Sequence, residues 1–303
     1  MEHDTSLCGT QFASEQMRQR MKPNGSTVAD AQTSRRYALG YSDGEFRRLE
    51  TQGAFFRDLT EDVLRRAGLA PGMHVLDVGC GVGDVSLLAA TLVGPTGSVL
   101  GIDRSDESLE IARRRAAAAA QAPVRFQAVE LDTFSPDGEF DAVIGRFILM
   151  YQRDPAAALR RLYRHLRRGG IVAFQEMAMP LARSVPDGTR FRQCTDWIMT
   201  AFTRAGGEID MGGKLFATFV AAGLPKPQMI AACRVEGGPH SQAYEYLTDV
   251  LRSLLPAIER TGIATAEDVD IDGTAERLRQ EAVAHNACIM LPPLVGAWAR
   301  LPA

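Results

Sequence analysis

Hydrophobic positions between residues 70 and 176 fall in short, nearly continuous runs that alternate with amphipathic segments. The runs predict strands at 74–80, 98–103, 124–130, 140–149 and 171–176, and the segments predict helices at 84–94, 106–120 and 154–170. Short apolar strands separated by helices of this length are typical of a parallel sheet that is covered on both faces. Because crossovers between parallel strands are right-handed, the pattern predicts a doubly wound α/β sandwich with a mostly parallel central sheet.

The alternation changes on either side of this region. Residues 1–34 are polar and lack sustained periodicity, which predicts a flexible N-terminal segment followed by a single domain at 35–303. After residue 176 we expect two long helical insertions, which commonly form lids or the walls of binding sites. The predicted core covers about 70–176, 212–237 and 288–300, and the lid insertions cover about 177–211 and 238–287.

Composition narrows the class of protein. The net charge of -3 gives no electrostatic footprint for nucleic acid, and the basic stretches at 112–120 and 160–170 are interpreted as solvated helix faces. Five scattered cysteines without a CxxC pair indicate a reducing compartment, which predicts a cytoplasmic protein. Membrane insertion is not expected, because the chain has no run of eighteen apolar residues. No HExxH or comparable spacing predicts a metal site.

Three glycines crowd the loop between the first predicted strand and the next helix. Gly79, Gly81 and Gly83 lie where a doubly wound sheet binds its ligands, at the carboxyl end of a strand. Glycine lets the backbone pass beneath a ligand without a Cβ in the way. The spacing is GxGxG with Asp77 two residues before it, and it differs from the GxGxxG of dinucleotide-binding folds. The loop therefore predicts a ligand site that is not designed for pyrophosphate.

Acidic residues end successive predicted strands. Asp103 ends the second strand, where it could accept hydrogen bonds from a ribose diol. Glu130 ends the third strand, where its carboxylate and the N–H of Leu131 could read the edge of an adenine. Together with Asp77, these acids predict a nucleoside-sized ligand without a pyrophosphate. The alternatives are a loop cap for Asp77, a helix-start charge for Asp103, and replacement of Glu130 by the nearby Asp132.

These segments resemble a known family. "LDVGCGVGDVS", "GIDRSDESLEIAR" and "FDAVIGRFILMYQRDPAAALRRLYRHLRRGGIVAFQE" are similar to successive motifs of class I S-adenosylmethionine-dependent methyltransferases. They are most similar to the small-molecule branch typified by the ubiquinone- and menaquinone-biosynthesis enzymes, over about residues 70–237. The resemblance implies a Rossmann-like methyltransferase fold, S-adenosyl-L-methionine as the cofactor and S-adenosyl-L-homocysteine as its product.

The resemblance also implies roles for single residues. Asp77 and the glycine loop would line the methionyl part of the cofactor, Asp103 would hold the ribose, and Glu130 the adenine amine. Arg146, just past the fourth strand, would lie beside the amino-acid end. The implied cofactor-binding set is Asp77, Gly79, Cys80, Gly81, Gly83, Asp103, Arg104, Glu130, Leu131 and Arg146. The chain departs from many relatives, which carry two histidines where it has Met150 and Tyr151.

A polar stripe marks the helix predicted before the sheet. Glu45, Arg48 and Gln52 fall at i, i+3 and i+7 beside apolar positions. If this helix crosses the glycine loop, Arg48 could pair with the carboxylate of the cofactor, and Gln52 would line the same site. Tyr37 and Tyr41 could cover it. A plain solvated stripe is the alternative.

Methyl transfer from a sulfonium is an in-line displacement that needs alignment of the acceptor and sometimes a general base. His240 and Tyr151 are the candidate catalytic residues, with Glu176 and Asp210 behind them, and an ordinary surface histidine is the alternative for His240. The stretch "GRFILMY" lacks the Asn/Asp-Pro-Pro-aromatic pattern of nucleobase methyltransferases.

The aromatic and methionine residues of the insertions suit an apolar or aromatic small acceptor, either a metabolite or a natural product. The alternatives are a protein or peptide methyltransferase and a non-catalytic protein that binds S-adenosylmethionine. A homodimer is left open.

Overall fold

The computed structural model describes residues 43–119, 123–136 and 138–303. The flexible segment expected at 1–34 and the covering roles of Tyr37 and Tyr41 lie outside these residues. The helices are α1 (Asp43–Phe55), α2 (Arg57–Ala67), α3 (Asp84–Val93), α4 (Asp106–Ala118), α5 (Pro155–Tyr163), α6 (Thr189–Arg204), α7 (Met211–Ala221), α8 (Ala243–Arg260), α9 (Ala266–Val269) and α10 (Ile271–Ala284). The strands are β1 (His74–Val78), β2 (Ser98–Asp103), β3 (Val124–Ala128), β4 (Phe140–Arg146), β5 (Leu166–Met177), β6 (Arg183–Val185), β7 (Gln228–Ala232), β8 (Val235–Gly237), β9 (Cys288–Met290) and β10 (Leu294–Arg300).

The central sheet has the strand order β3-β2-β1-β4-β5-β10-β7. The strands from β3 to β5 run parallel, and β10 pairs antiparallel with both β5 and β7. The chain moves outward from β1 to β3 on one side and then from β4 to β5 on the other. This confirms the doubly wound, mostly parallel α/β sheet. The reversal places the switch point, and with it the expected ligand crevice, at the carboxyl ends of β1 and β4.

Apolar residues cover both faces of the sheet. On one face Leu64 of α2 and Leu88 of α3 belong to a cluster with the strand residues Val75 and Ile144. On the other face α5, α7 and the helices of both insertions share a larger cluster. The inner strands β1, β4 and β10 are buried on both sides for this reason, which explains why their sequences are nearly continuous apolar runs and not alternating ones.

The stretch 154–170, which we predicted to be one helix, is divided. Helix α5 ends at Tyr163, and β5 begins at Leu166, which is paired with Phe140 of β4. Gly169 has a φ of 72°, a left-handed value that a continuing helix could not accommodate. The prediction of a single helix was wrong because Leu166 lies four residues after Leu162 and so continues the helical spacing, although it begins β5.

A small second sheet, which the hydrophobic pattern did not predict, lies in and next to the insertions. Strands β6, β9 and β8 form a separate antiparallel sheet of three strands. Strand β9 lies in the predicted core segment 288–300 but pairs with β6 and β8, and Pro292 and Pro293 separate it from β10, because proline lacks the N–H that a ladder needs. Helices α6, α8 and α10 pack against one another beside this sheet.

Glu176, at the end of β5, holds the loop that follows β4. Its side chain is fully buried, and its Oε1 accepts hydrogen bonds from the backbone N–H groups of Ile148 at 2.9 Å and Leu149 at 2.6 Å. Its Oε2 is buried and has no hydrogen-bond partner. Burial raises the pKa of Glu176 to about 8, against the opposing effect of the backbone N–H groups. The carboxyl is therefore mainly protonated at neutral pH and acts as a structural acceptor.

We predict that Glu176→Gln removes a pH-dependent loss of stability. The folded pKa lies above the ordinary value of 4.5, so the wild type loses stability as pH rises from about 4.5 to about 8. Glutamine keeps the accepting oxygen and cannot ionise. Urea unfolding should show that the unfolding free energy of the variant rises relative to that of the wild type, by several kcal/mol across this pH range. A difference in unfolding free energy that does not change with pH would contradict the assignment.

Candidate active site

One cavity opens at the carboxyl ends of the central strands. Its charged lining comes from α1, the glycine loop, the start of α3 and the strand ends, whereas the loop after β4 and the insertions contribute mainly apolar residues, with Gln152 and Thr195 as uncharged polar ones. The charged, polar and loop members are Arg48, Gln52, Asp77, Gly79, Cys80, Gly81, Asp84, Asp103, Arg104, Glu130, Leu131, Asp132 and Arg146. The apolar wall includes Ile148, Met150, Tyr151, Met177, Met179, Ile198, Met199, Phe202, Tyr246, Leu247 and Val250.

The glycines are required by the path of the loop. Gly79, Gly81 and Gly83 have φ values of 64°, 51° and 88°, in the left-handed region that glycine adopts without strain. A Cβ at Gly79 would overlap the side chain of Ile148. A Cβ at Gly81 would meet no protein atom within 4 Å. Gly81 borders the cavity directly, while Gly83 serves the turn into α3 and does not line the cavity.

Asp103 joins the end of β2 to the glycine loop. Its Oδ2 accepts a hydrogen bond from the N–H of Gly81 at 2.9 Å, and its Oδ1 accepts one from the N–H of Ser105 at 2.9 Å. Each carboxylate oxygen has a further lone pair. The half-buried side chain can therefore accept hydroxyl hydrogen bonds from a ribose while it keeps the loop in place.

Asp77 and Arg146 place opposite charges at the base of the cavity. Asp77 is 1% exposed, and Ser86 Oγ donates to its Oδ2 at 2.6 Å. Burial raises the pKa of Asp77 to about 7, while Ser86 and Arg146 oppose the rise. Arg146 donates to Thr60 Oγ1 at 2.9 Å, and burial lowers its pKa. An acid and a cation that are both partly desolvated suit a ligand with a zwitterionic end.

Helix α1 contributes Arg48 and Gln52 to the same cavity. The two side chains are 4% and 7% exposed, and Arg48 Nη1 donates to Gln52 Oε1. A solvated stripe, the alternative interpretation, is therefore wrong for these two residues. The side chain of Glu45, the third member of the stripe, lies outside the described part of the structure.

The adenine side of the predicted site is more open. Glu130 is exposed and lines the cavity together with Leu131 and Arg104. Asp132, the alternative to Glu130, forms an ion pair with Arg161 on α5. Its carboxylate is thus engaged by the protein, which favours Glu130 as the acid that is available to a ligand.

The polar lining fits S-adenosylmethionine. Asp103 offers acceptors to a diol, Glu130 offers an acceptor to an exocyclic amine, and Asp77 with Arg146 and Arg48 offers charges to an ammonium and a carboxylate. Cys80 also lines the cavity, but burial raises the pKa of its thiol, so it remains a neutral wall and is not a nucleophile.

The structure does not bring His240 to this cavity. His240 is exposed and lines a separate surface depression with Glu236, Tyr244 and Arg279. It lies in the loop before α8, and that helix presents Leu247 and Val250 to the cavity instead. The expectation that His240 acts as a catalytic base was therefore wrong, because His240 does not reach the cavity. Tyr151 does line the cavity, with its ring 6.4 Å from that of Phe202.

The sequence analysis missed the role of Phe147 and the contacts of Tyr246, two aromatic residues of the cavity. Tyr246 stacks on Phe55 with ring centroids 5.1 Å apart, and Phe147 has a φ of 60°, which is unusual for an aromatic residue. The position of Phe147 directly after Arg146 was a signal for it. Tyr246 is one of the aromatic residues of the insertions that were expected on the acceptor side, but its contact with Phe55 could not be predicted, because it depends on how α8 packs against α1.

Two properties of the described residues bear on the class of protein. None of the helices in this part of the chain combines the length and the apolar character needed to cross a bilayer. Within residues 43–119, 123–136 and 138–303, His, Cys, Asp and Glu do not gather in groups of three that could hold a metal ion.

Comparison with known proteins agrees with this geometry. A family model described as a methyltransferase domain matches residues 69–208. A demethylmenaquinone methyltransferase of Symbiobacterium thermophilum is 29% identical over 184 residues, which cover 58% of this chain and 72% of that enzyme. A demethylmenaquinone methyltransferase of Staphylococcus aureus is 36% identical over 119 residues, which cover 39% of this chain and 48% of that enzyme. The chain thus spans about half the length of the second relative.

Solved structures share the fold. A Bacillus halodurans protein provisionally described as a methyltransferase superposes with a TM-score of 0.53 at 15% identity, over 80% of this chain and 99% of that chain. The YcgJ protein of Bacillus subtilis gives a TM-score of 0.52 at 17% identity, over 81% and 99%. At these identities the likeness shows the fold alone. The matched region 69–208 contains the glycine loop, the acids at the strand ends and Arg146, and this region is a methyltransferase domain of the class I S-adenosylmethionine-dependent type.

Proposed function

We propose that the protein methylates a small, uncharged acceptor of apolar or aromatic character. One observation carries this proposal. In the described part of the chain, no charged residue lines the cavity from the loop after β4 or from the insertions. A charged acceptor buried against such a wall would lose its hydration without compensation. The two curated relatives are named for demethylmenaquinone, a small molecule, and this supports the same class of acceptor.

The methionine content of the wall supports an acceptor with an extended apolar surface. Met150, Met177, Met179 and Met199 all lie on this side of the cavity. Methionine side chains are flexible and polarizable, and they make favourable contacts with aromatic rings. They are therefore suited to enclosing a planar acceptor and excluding water around it.

The residues of the chain would act mainly by holding and aligning the two reactants. When bound, S-adenosylmethionine supplies a methyl group that is already activated on a sulfonium. Asp103 and Glu130 hold the adenosine part, and Asp77, Arg146 and Arg48 hold the amino-acid part. Alignment of an acceptor against such a fixed donor can contribute roughly 7–11 kcal/mol to the lowering of the barrier.

We propose that Tyr151, in its phenolate form, takes the proton that the acceptor loses and becomes the neutral phenol. It is a titratable side chain on the apolar wall, and it follows the buried residue Met150 in the loop that Glu176 holds. A second titratable side chain on this wall, Tyr246, is stacked on Phe55. These observations support Tyr151 as a residue whose hydroxyl would face a bound acceptor.

The proposal is tested by incubating the protein and S-adenosylmethionine with fractionated metabolites of the host. We expect a small molecule to gain the mass of one methyl group. Tyr151→Phe should lower kcat for that product by about 100-fold, as loss of a general base does, and His240→Ala, the matched control, should leave kcat unchanged.

Three other outcomes would contradict parts of this proposal. Methyl groups found on peptides alone would indicate a protein methyltransferase. Tight cofactor binding without any turnover would indicate a non-catalytic binder. A loss of activity in His240→Ala that equals the loss in Tyr151→Phe would remove Tyr151 from its role.

We predict that cofactor affinity depends on pH through Asp77. The raised pKa of about 7 means that the carboxyl of the free protein is protonated in acid, and a cationic ligand end favours its ionised form. Affinity for S-adenosylmethionine should therefore rise with pH, by at most about tenfold per pH unit, and level off near the pKa. Calorimetric titration between about pH 5.5 and 7 measures this. Asp77→Asn should bind more weakly with a flat profile, and an unchanged slope in that variant would refute the assignment.

We also propose that the acceptor is not a nucleic acid and that the protein works in the cytoplasm. The chain has a net charge of -3 and therefore no surplus of basic residues, which argues against a nucleic-acid acceptor. The described cysteines Cys80, Cys194, Cys233 and Cys288 are free thiols, which suits the reducing cytoplasm.

A further inference from the structure

Arg115 departs from the solvated helix face that the basic run 112–120 predicted. Its neighbours Arg113 and Arg114 are exposed, but the side chain of Arg115 is 28% exposed and turns toward the sheet. Its Nη1 donates to the carbonyl oxygen of Val82 at 2.6 Å, and its Nη2 donates to Asp84 Oδ1 at 2.6 Å. Its Nε lies 3.8 Å from Glu50 Oε1. One guanidinium on α4 thus contacts three other parts of the chain.

These partners surround the cofactor side of the cavity. Val82 belongs to the glycine loop, and Asp84 is the first residue of α3. Both of them line the cavity. Glu50 belongs to α1 and lies between the cavity-lining residues Leu49 and Gln52. Arg115 therefore connects the base of the cofactor site to the helix that covers it, and it does so from outside the cavity.

Gly53 shows how closely α1 approaches this cluster. A Cβ at Gly53 would overlap the carboxylate of Asp84, so the backbone of α1 lies directly against the side chain that Arg115 holds. The position of Asp84 thus influences the position of α1. A displaced Asp84 carboxylate would change the place of Arg48 and Gln52 on the same helix.

We propose that Arg115 is a positioning residue for cofactor binding, because it holds the glycine loop and α1 in the arrangement that encloses S-adenosylmethionine. Arginine suits this role because its planar fork can donate to a carbonyl and a carboxylate at the same time. Lysine has a single charged nitrogen and cannot span Val82 and Asp84 in the same way. The inference rests on the cofactor assignment and is independent of the acceptor.

The test is calorimetric titration of the full chain with S-adenosylhomocysteine. We expect Arg115→Ala to weaken binding by about tenfold, the lower end of what charge-assisted hydrogen bonds contribute, and Arg115→Lys to recover part of the loss. Arg114→Ala, which changes an exposed neighbour, should bind like the wild type. Gly53→Ala should also weaken binding, since it moves α1 off Asp84 without altering any charge.

Limited trypsin digestion separates positioning from general stability. Arg48 is 4% exposed, so cleavage after it reports release of α1. We expect faster cleavage there in Arg115→Ala and Gly53→Ala at an unchanged melting temperature, and slower cleavage when S-adenosylhomocysteine is added to the wild type.

Wild-type affinity in both Arg115→Ala and Gly53→Ala would overturn the inference, as would a loss of affinity in Arg114→Ala equal to that in Arg115→Ala. If Arg115→Ala does not fold, Arg115→Lys and Gly53→Ala decide in the same way. A wild type that binds no S-adenosylhomocysteine would overturn the cofactor assignment itself, and the inference with it.

Discussion

The hydrogen bond from the N–H of Gly81 to Asp103 joins the carboxyl ends of β1 and β2, beside the point between β1 and β4 where the sheet reverses its order. It is 2.9 Å long, and it is accompanied by a backbone bond of 3.0 Å from the N–H of Cys80 to the carbonyl of Ile102. Gly81 can turn its N–H toward Asp103 because its φ is 51°. The loop that begins α3 and the acid that would hold the ribose are therefore fixed by the protein itself. A ligand that enters such a preorganised site loses less free energy to ordering.

The two sides of the cavity differ in electrostatics: the cofactor side buries charged groups, and the acceptor side does not. On the cofactor side, Asp77 and Arg146 are desolvated while their direct hydrogen-bond partners, Ser86 and Thr60, are neutral hydroxyls. Burying these charges without a charged partner costs the free protein folding free energy. A zwitterionic ligand would pair with both charges and remove part of this cost, which favours binding. The insertions supply a wall that brings no charge near the transferred group. Electrostatic interactions are stronger in such a dry environment than in water, and this is where cofactor and acceptor would meet.

The core could be predicted well from the sequence because its strands and its glycine loop leave patterns among neighbouring residues. The apolar runs correspond to β1, β2 and β4, and the glycine spacing marks a turn that only small residues allow. Asp103 could be placed because it ends a strand next to the loop. The proposed role of Arg115 could not be foreseen, since a basic helix stretch is normally solvated and its partners lie 31 to 65 residues away, as the positions of Glu50, Val82 and Asp84 show. His240 was assigned to the cavity wrongly, because the neighbouring residues in the sequence do not indicate which side of an insertion a loop residue faces. The small sheet of β6, β8 and β9 was missed because its strands are three residues long.

The central claim is that the acids at the strand ends and the buried charges at the base of the cavity hold one S-adenosyl ligand. A crystal structure of the protein with S-adenosylhomocysteine tests it most directly. The account predicts the ribose hydroxyls on the carboxylate of Asp103, the adenine beside Glu130 and Leu131, and the amino-acid end between Asp77 and Arg146. Density for the ligand in the depression around His240, or a ribose that makes no contact with Asp103, would contradict it.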